Sequence, residues 1–222
     1  MEFIFALRYR LGLPVFETEG VCPMARCNSN SDRFGDHAIT CAINGERISK
    51  HNHLRDAIFN AGVQARLGPQ KEPAGLIPGS DERPADVFFP FWTQGKDTAL
   101  DITVVNPLQA GLVQRTSRDG GSGVEHAYLI KMRKYFDRCE GEGIVFTPMA
   151  VDTFGGWHPA ALAILTKLGR QVARGVGKEE ADVVRQLRQR LGVLLVRDNM
   201  SMVNSRAPSF PPANVDGDVD ED

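Results

Sequence analysis

Three of the four cysteines in this 222-residue chain fall within one short stretch, "CPMARCNSNSDRFGDHAITC", with His37 between the second and the third. The spacing is Cys22-x4-Cys27-x9-His37-x3-Cys41. Zinc takes thiolate and imidazole ligands in tetrahedral sets of four, and this stretch supplies a complete set. The intervening "NSNSDRFGD" is polar and turn-forming, so it has no core of its own. A loop of that kind needs strong bonds to close, and a structural Zn2+ supplies them. Two other readings stand beside this one. A disulfide would leave an odd cysteine, and three inert core cysteines would sit better in an apolar stretch. Cys139 lies far downstream and outside the set. Residues 1–48 are therefore expected to form an N-terminal segment carrying a zinc knuckle.

The rest of the chain reads as one globular domain. Hydrophobic residues make up 42% and charged residues 24%, the composition of an ordinary folded protein. No apolar run approaches the ~20 residues that span a bilayer, so no membrane is expected. The opening "MEFIFALRYRLGLPVF" has Glu2 before Arg8 and Arg10, the wrong charge order for a secretory signal. It reads as part of the fold of an intracellular protein. The formal net charge of −2 is uneven: residues 206–222 hold one arginine against five acids, which leaves +2 on residues 1–205. The segment 207–222 is proline-rich, acidic and without apolar periodicity, and is expected to be disordered. Its alternating aspartates lack the glycine and the terminal glutamate of a calcium loop.

Between these ends, periodicity predicts an ordered series of elements. "NHLRDAIFNAGVQARL" places Leu54, Ile58, Ala61 and Ala65 at helical spacing, and Gly68-Pro69 ends the helix. "QKEPAGLIPG", "PADVFFPFW" and "TALDITVV" read as strands, the last two joined at "TQGKD". "VEHAYLIKMRKYFDRC" reads as a helix with Leu129, Met132 and Phe136 on one side. A strand in "GIVFTPMAVD" and two closing helices follow, the first opened by Pro159. This order predicts an α/β (α+β) domain over residues 49–206, with a mixed sheet of about four strands flanked by helices.

Two carboxylates stand out within that frame. Asp86 opens one strand, and Asp101 interrupts the apolar "ALDITVV" of the next. Neighbouring strands joined by a tight turn can bring both to one end of the sheet. An unpaired buried charge costs several kcal/mol unless a cation or a proton neutralises it. Mg2+ suits such a site, because it takes one or two carboxylates together with phosphate oxygens and water. The alternative is a structural aspartate paired with an arginine such as Arg83.

"RPAD" followed by "ALDITVV" resembles the PD-(D/E)xK motif of restriction-like nucleases. The cysteine–histidine cluster, then "KHN", "RPAD" and a second aspartate are similar to the C-terminal restriction-like endonuclease of site-specific non-LTR retrotransposon reverse transcriptase proteins. "LRYRLGLP", "FGDHAITC", "LDITVVNPLQ" and "FGGW" are similar to that family too, and the resemblance spans about residues 6–206. It implies a restriction-endonuclease-like core and a metal-dependent endonuclease that nicks target DNA. It also implies a nuclear place of action and RNA or a reverse transcriptase as further partners, with no small-molecule cofactor.

Carried over by position, Asp86 and Asp101 would be the Mg2+ ligands. The motif's lysine should stand two residues after the second acid, where this chain has Thr103. Lys131 or Lys134 of "YLIKMRKY" could supply it from the following helix, and Glu72 could be a third acid. Lys50, His51, Asn52 and Arg55, with Arg83 and Lys96 flanking the acids, could meet phosphate. His51 and His53 could also be read as zinc ligands or a general base. A body charge of only +2 means that any DNA affinity must come from a local patch. The rival expectations are a zinc-containing nucleic-acid-binding module that has lost catalysis, such as a retroelement remnant, and a structural zinc protein that acts through protein contacts.

Overall fold

A computed structural model describes residues 2–207, so the acidic tail expected to be disordered lies outside the described residues except for Ala207. The frame is a four-stranded mixed sheet between helices. Helix α1 (Glu2–Arg10) leads into a two-stranded ribbon, β1 (Gly20–Val21) and β2 (Asn30–Ser31), and a short helix α2 (Asp36–Thr40). Helix α3 (Glu46–Gln64) follows, then strands β3 (Gln70–Lys71), β4 (Val87–Thr93) and β5 (Lys96–Val105). Helices α4 (Val113–Thr116) and α5 (Ser122–Gly141) lead to strand β6 (Val145–Asp152), and α6 (Pro159–Val176) and α7 (Glu180–Asn204) close the fold. The strand order is β3-β4-β5-β6; the first two pairings are antiparallel and the last is parallel.

The sheet buries both faces. Leu100 and Ile102 of β5 point to one side, with Leu54 and Ile58 of α3, Leu165 and Leu168 of α6, and Leu191 and Leu195 of α7. Ala99 points to the other side, where α5 brings Tyr135 and Cys139. Fully burying each of these large side chains contributes about 1.5–3 kcal/mol. Local signals explain the helix ends. The His158 side chain accepts from the Ala160 amide, Pro159 occupies the first turn, and Gly177 closes α6 at φ +67°. Gly169 lets α6 and α7 approach closely, since a Cβ there would stand 2.9 Å from the Val184 Cα.

Two sequence expectations change here. Helix α3 starts at Glu46, before the first periodic apolar residue, and so crosses the expected boundary at 48/49; its first two turns bury Lys50 instead of an aliphatic side chain. Helix α5 buries Val124, Ala127, Tyr135 and Cys139, whereas Leu129 and Phe136 are exposed. Its core face is rotated from the expected one because the small Ala127 and the ring of Tyr135 pack on the sheet.

The N-terminal segment is docked on the C-terminal helix. Tyr9, Val15, Phe16, Ala38 and Ile39 form a cluster with Met200 and Val203 of α7, with Ala207 packed partly buried against it. Among the described residues, no helix is long and apolar enough to cross a membrane.

Candidate functional site

The ribbon β1–β2 and helix α2 build a cysteine–histidine cluster. Cys22 donates its amide to the Ser29 carbonyl at 3.0 Å, and the Cys27 amide donates to the Met24 carbonyl at 2.9 Å, which folds the loop between them. Asp32 fixes α2: its carboxylate accepts from the amides of Phe34, Asp36 and His37 at 2.9, 3.1 and 2.7 Å. His37 and Cys41 thereby face Cys22 and Cys27. All four ligand atoms lie within 4.8 Å of one another, so the group could hold a metal ion such as zinc. Tetrahedral bonds of ~2.3 Å to sulfur and ~2.0–2.1 Å to nitrogen demand about 3.8 Å between sulfurs and about 3.6 Å from sulfur to nitrogen. Cys27 and Cys41 stand 3.7 Å apart, and Cys27 Sγ is 3.4 Å from His37 Nε2. All four cysteines are free thiols, which removes the disulfide reading. Cys139 is buried on α5, outside the cluster.

The acids lie on the sheet. Val87 pairs with Leu100, and continuing that register sets Asp86 opposite Asp101. Lys71 pairs with Val87, and the Glu72 amide donates to the Asp86 carbonyl at 3.1 Å. Glu72, Asp86 and Asp101 therefore stand in a row across three strands. Each carboxylate has a different partner. Asp86 Oδ2 accepts from the Ile102 amide at 2.6 Å, and Asp86 Oδ1 lies 3.1 Å from His51 Nε2 of α3. Glu72 pairs with Arg55, one turn further along α3. Asp101 Oδ1 accepts from Lys131 Nζ at 3.1 Å. Burial, and then the charge of Asp86, push the Asp101 carboxyl up to about 6 in spite of Lys131. The hydrogen bond to Asp86 raises His51.

The remaining expected residues separate clearly. Lys134 is exposed, with its ammonium 4.5 Å from the Tyr135 ring centre, so Lys131 is the lysine that reaches an acid. Asn52 is half-buried beside His51, and Arg83 is exposed in the loop before Asp86. Lys96 does not flank the acids. It sits beside the β4–β5 turn, five residues from Asp101, roughly 16 Å at ~3.3 Å per residue. Lys50 is not a surface cation either. It is 3% exposed, and its ammonium donates to the Ile39 carbonyl at 3.1 Å and to Asn199 Oδ1 at 2.7 Å. Burial lowers it to about 8. Neither His51 nor His53 belongs to the cysteine cluster; His53 Nδ1 stands 2.8 Å from Asp198.

Sequence reasoning missed how α3 aims at the acids. His51 and Arg55 are four residues apart and so share one helix face, a spacing visible in "KHNHLR". Two cavities lie away from the acids. A space of about 560 Å3 lies beside α1, lined by Ile4, Phe5 and Arg8, and one of about 220 Å3 lies beside Pro107 and Phe154. No family model matches the chain, and no curated protein matches it.

Proposed function

We propose that the chain is a metal-dependent DNA endonuclease with a restriction-endonuclease-like core and a structural zinc knuckle. One observation carries this reading: Asp86 and Asp101 stand opposite each other across β4 and β5, and a lysine from the next helix touches the second of them. That lysine answers the departure at Thr103, because α5 supplies the cation that the strand lacks.

Asp86 and Asp101 would hold Mg2+, which when bound stabilises negative charge on a scissile phosphate. The fit is supported by Asp101 itself, which is 6% exposed and whose negative charge Lys131 offsets only in part. Lys131 would direct its ammonium at the charge that develops on the phosphate. His51 and Arg55 orient Asp86 and Glu72 from α3. Cys22, Cys27, His37 and Cys41 would hold Zn2+ and fix α2 against α7. DNA is the expected partner and the nucleus the place of action.

A specific observation favours a second reading. Among the described residues, the cysteine–histidine cluster is the one group of three or more ligands compact enough for an ion, and Glu72 is held by Arg55 instead of joining the two aspartates. This suits a nucleic-acid-binding module without catalysis. Nicking of supercoiled DNA in Mg2+ or Mn2+ separates the two. The nuclease reading expects cleavage that Asp101→Asn abolishes, whereas a wild-type chain that binds DNA without cutting it leaves the binding module.

A further inference from the structure

Phe91 in the β4–β5 hairpin is 75% exposed and holds φ +52°, a left-handed backbone that a bulky residue adopts at a cost. The cause lies in its neighbours. Phe89 is fully buried and Trp92 is 7% exposed, with their rings 4.7 Å apart, and both anchor β4 to the core. The ladder loses register between Phe89 and Thr93, and the residue between the two anchors is thrown outward. Asp97 locks the bulge by accepting the Phe91 amide at 2.9 Å. The turn beyond it, with Gln94 at φ +52° and Gly95 at φ +74°, is tight. A large apolar ring is thus presented to solvent from a fixed backbone position where a glycine would fit without strain.

The surroundings indicate the partner. Gln94, Gly95 and Lys96 are exposed and polar or small. Lys167 of α6 binds the hairpin from behind, donating to the Trp92 carbonyl at 3.1 Å and to Thr93 Oγ1 at 2.9 Å. Asp97 is spent on the backbone. A protein-docking surface is a contiguous apolar patch, as Phe3, Ile4 and Leu7 form on α1 in this same molecule. A single aromatic beside an exposed lysine and polar or small residues is instead how base-stacking side chains are presented. Its fixed backbone lowers the ordering cost of insertion.

We infer that Phe91 is a wedge that stacks on a base step of duplex DNA, with Lys96 on the adjoining phosphate. This rests on the nucleic-acid reading above and adds a second contact to it. Phe91 lies five residues beyond Asp86 in the chain, past the bulge in β4, so its contact is separate from the one at the acids. The duplex is opened where its stacking is weakest, since unstacking is then least costly.

The test measures binding of the full chain to a short duplex, fully paired or carrying one mismatch, over a range of salt. Phe91→Gly suits the backbone and is expected to melt at the same temperature or higher. It should bind roughly 5- to 100-fold more weakly, lose the preference for the mismatched duplex and keep the salt slope, because no charge is removed. Phe91→Trp should retain affinity, and Lys96→Ala should reduce the slope by about one. Equal binding by wild type and Phe91→Gly overturns the wedge and leaves the functional reading intact. Phe91→Trp binding as weakly as Phe91→Gly also overturns it. A wild type that binds no duplex at low salt overturns both.

Discussion

Lys131 Nζ stands 2.9 Å from Asp101 Oδ2 and 3.1 Å from Oδ1, bridging the middle of α5 to the middle of β5. The pair is unequal. The Asp101 side chain is 8% exposed and the Lys131 side chain 28%, so the carboxylate bears more of the desolvation cost. With Asp86 opposite, the site holds more negative charge than one ammonium neutralises.

Asp101→Asn tests that imbalance in metal-free protein. Burial raises the Asp101 carboxyl to about 6, so the folded chain holds the proton more tightly than the unfolded chain does. Stability then falls as pH rises from the unfolded value near 3.8 through 6. Removing the charge should stabilise the chain above that window by up to about 3 kcal/mol and have little effect below about pH 3.5. Thermal melts in chelator on both sides of the window check this. A loss of stability at neutral pH would mark Asp101 as a structural ion-pair partner. The same variant should show no Mg2+-dependent nicking.

Lys131→Ala leaves a nearly buried carboxylate without its cation. The carboxyl can take up a proton instead, so the stability loss should stay near 1–2 kcal/mol, less than for a fully buried pair. Cleavage should fall by about 10²–10³-fold with DNA affinity almost unchanged. Lys134→Ala should spare cleavage, since its ammonium rests on the Tyr135 ring. Single-turnover rates and binding isotherms on the two variants distinguish a lysine at the reacting centre from one that contacts phosphate.

Local signals were legible and distant ones were not. The metal cluster could be read because its ligands lie within one stretch, and the order of strands and helices because period and turn residues mark each element. The convergence of Asp86 and Asp101 followed from hairpin logic. That same logic puts Lys96 at the opposite end, beside the turn, which the sequence reading overlooked. Lys50 was misread because its partner Asn199 is 149 residues away, and no local pattern tells a phosphate-seeking lysine from a buried one. Arg55 looked free for the same reason, since Glu72 comes opposite Asp86 only through the two-residue strand β3.

Cys27→Ser, or removal of metal with a strong chelator, should release the knuckle from α7. The cluster of Val15, Phe16, Ala38 and Ile39 with Met200 and Val203 depends on the placement of α2. Its loss should lower the melting temperature by at least about 5 °C, which corresponds to ~2 kcal/mol in a chain of this size. Metal analysis should find one zinc per wild-type chain. A wild type purified without chelator that carries no metal, and melts the same as Cys27→Ser, removes the structural role.

Lys50 ties three parts of the fold together, and its charge gives that tie a pH dependence. The ammonium reaches the Ile39 carbonyl of α2 and the Asn199 side chain of α7, and Asn199 in turn donates to the Thr153 carbonyl at 2.8 Å. Burial lowers Lys50 to about 8 against 10.5, so between these values the unfolded chain binds the proton that the folded chain has lost. Stability contributed by this group therefore rises with pH across that window and is flat below it; the full span is up to about 3 kcal/mol. Lys50→Met fills the same volume without the charge. It forfeits the hydrogen bonds to Ile39 and Asn199 at roughly 1–3 kcal/mol, because their acceptors stay buried. The difference in stability between wild type and Lys50→Met should thus widen in favour of wild type as pH is raised from about 7.5 to about 9.5. Paired denaturant titrations of the zinc-loaded proteins at the two pH values measure it. A constant difference would mean that Lys50 keeps an ordinary lysine affinity for its proton, and hence that water reaches its ammonium.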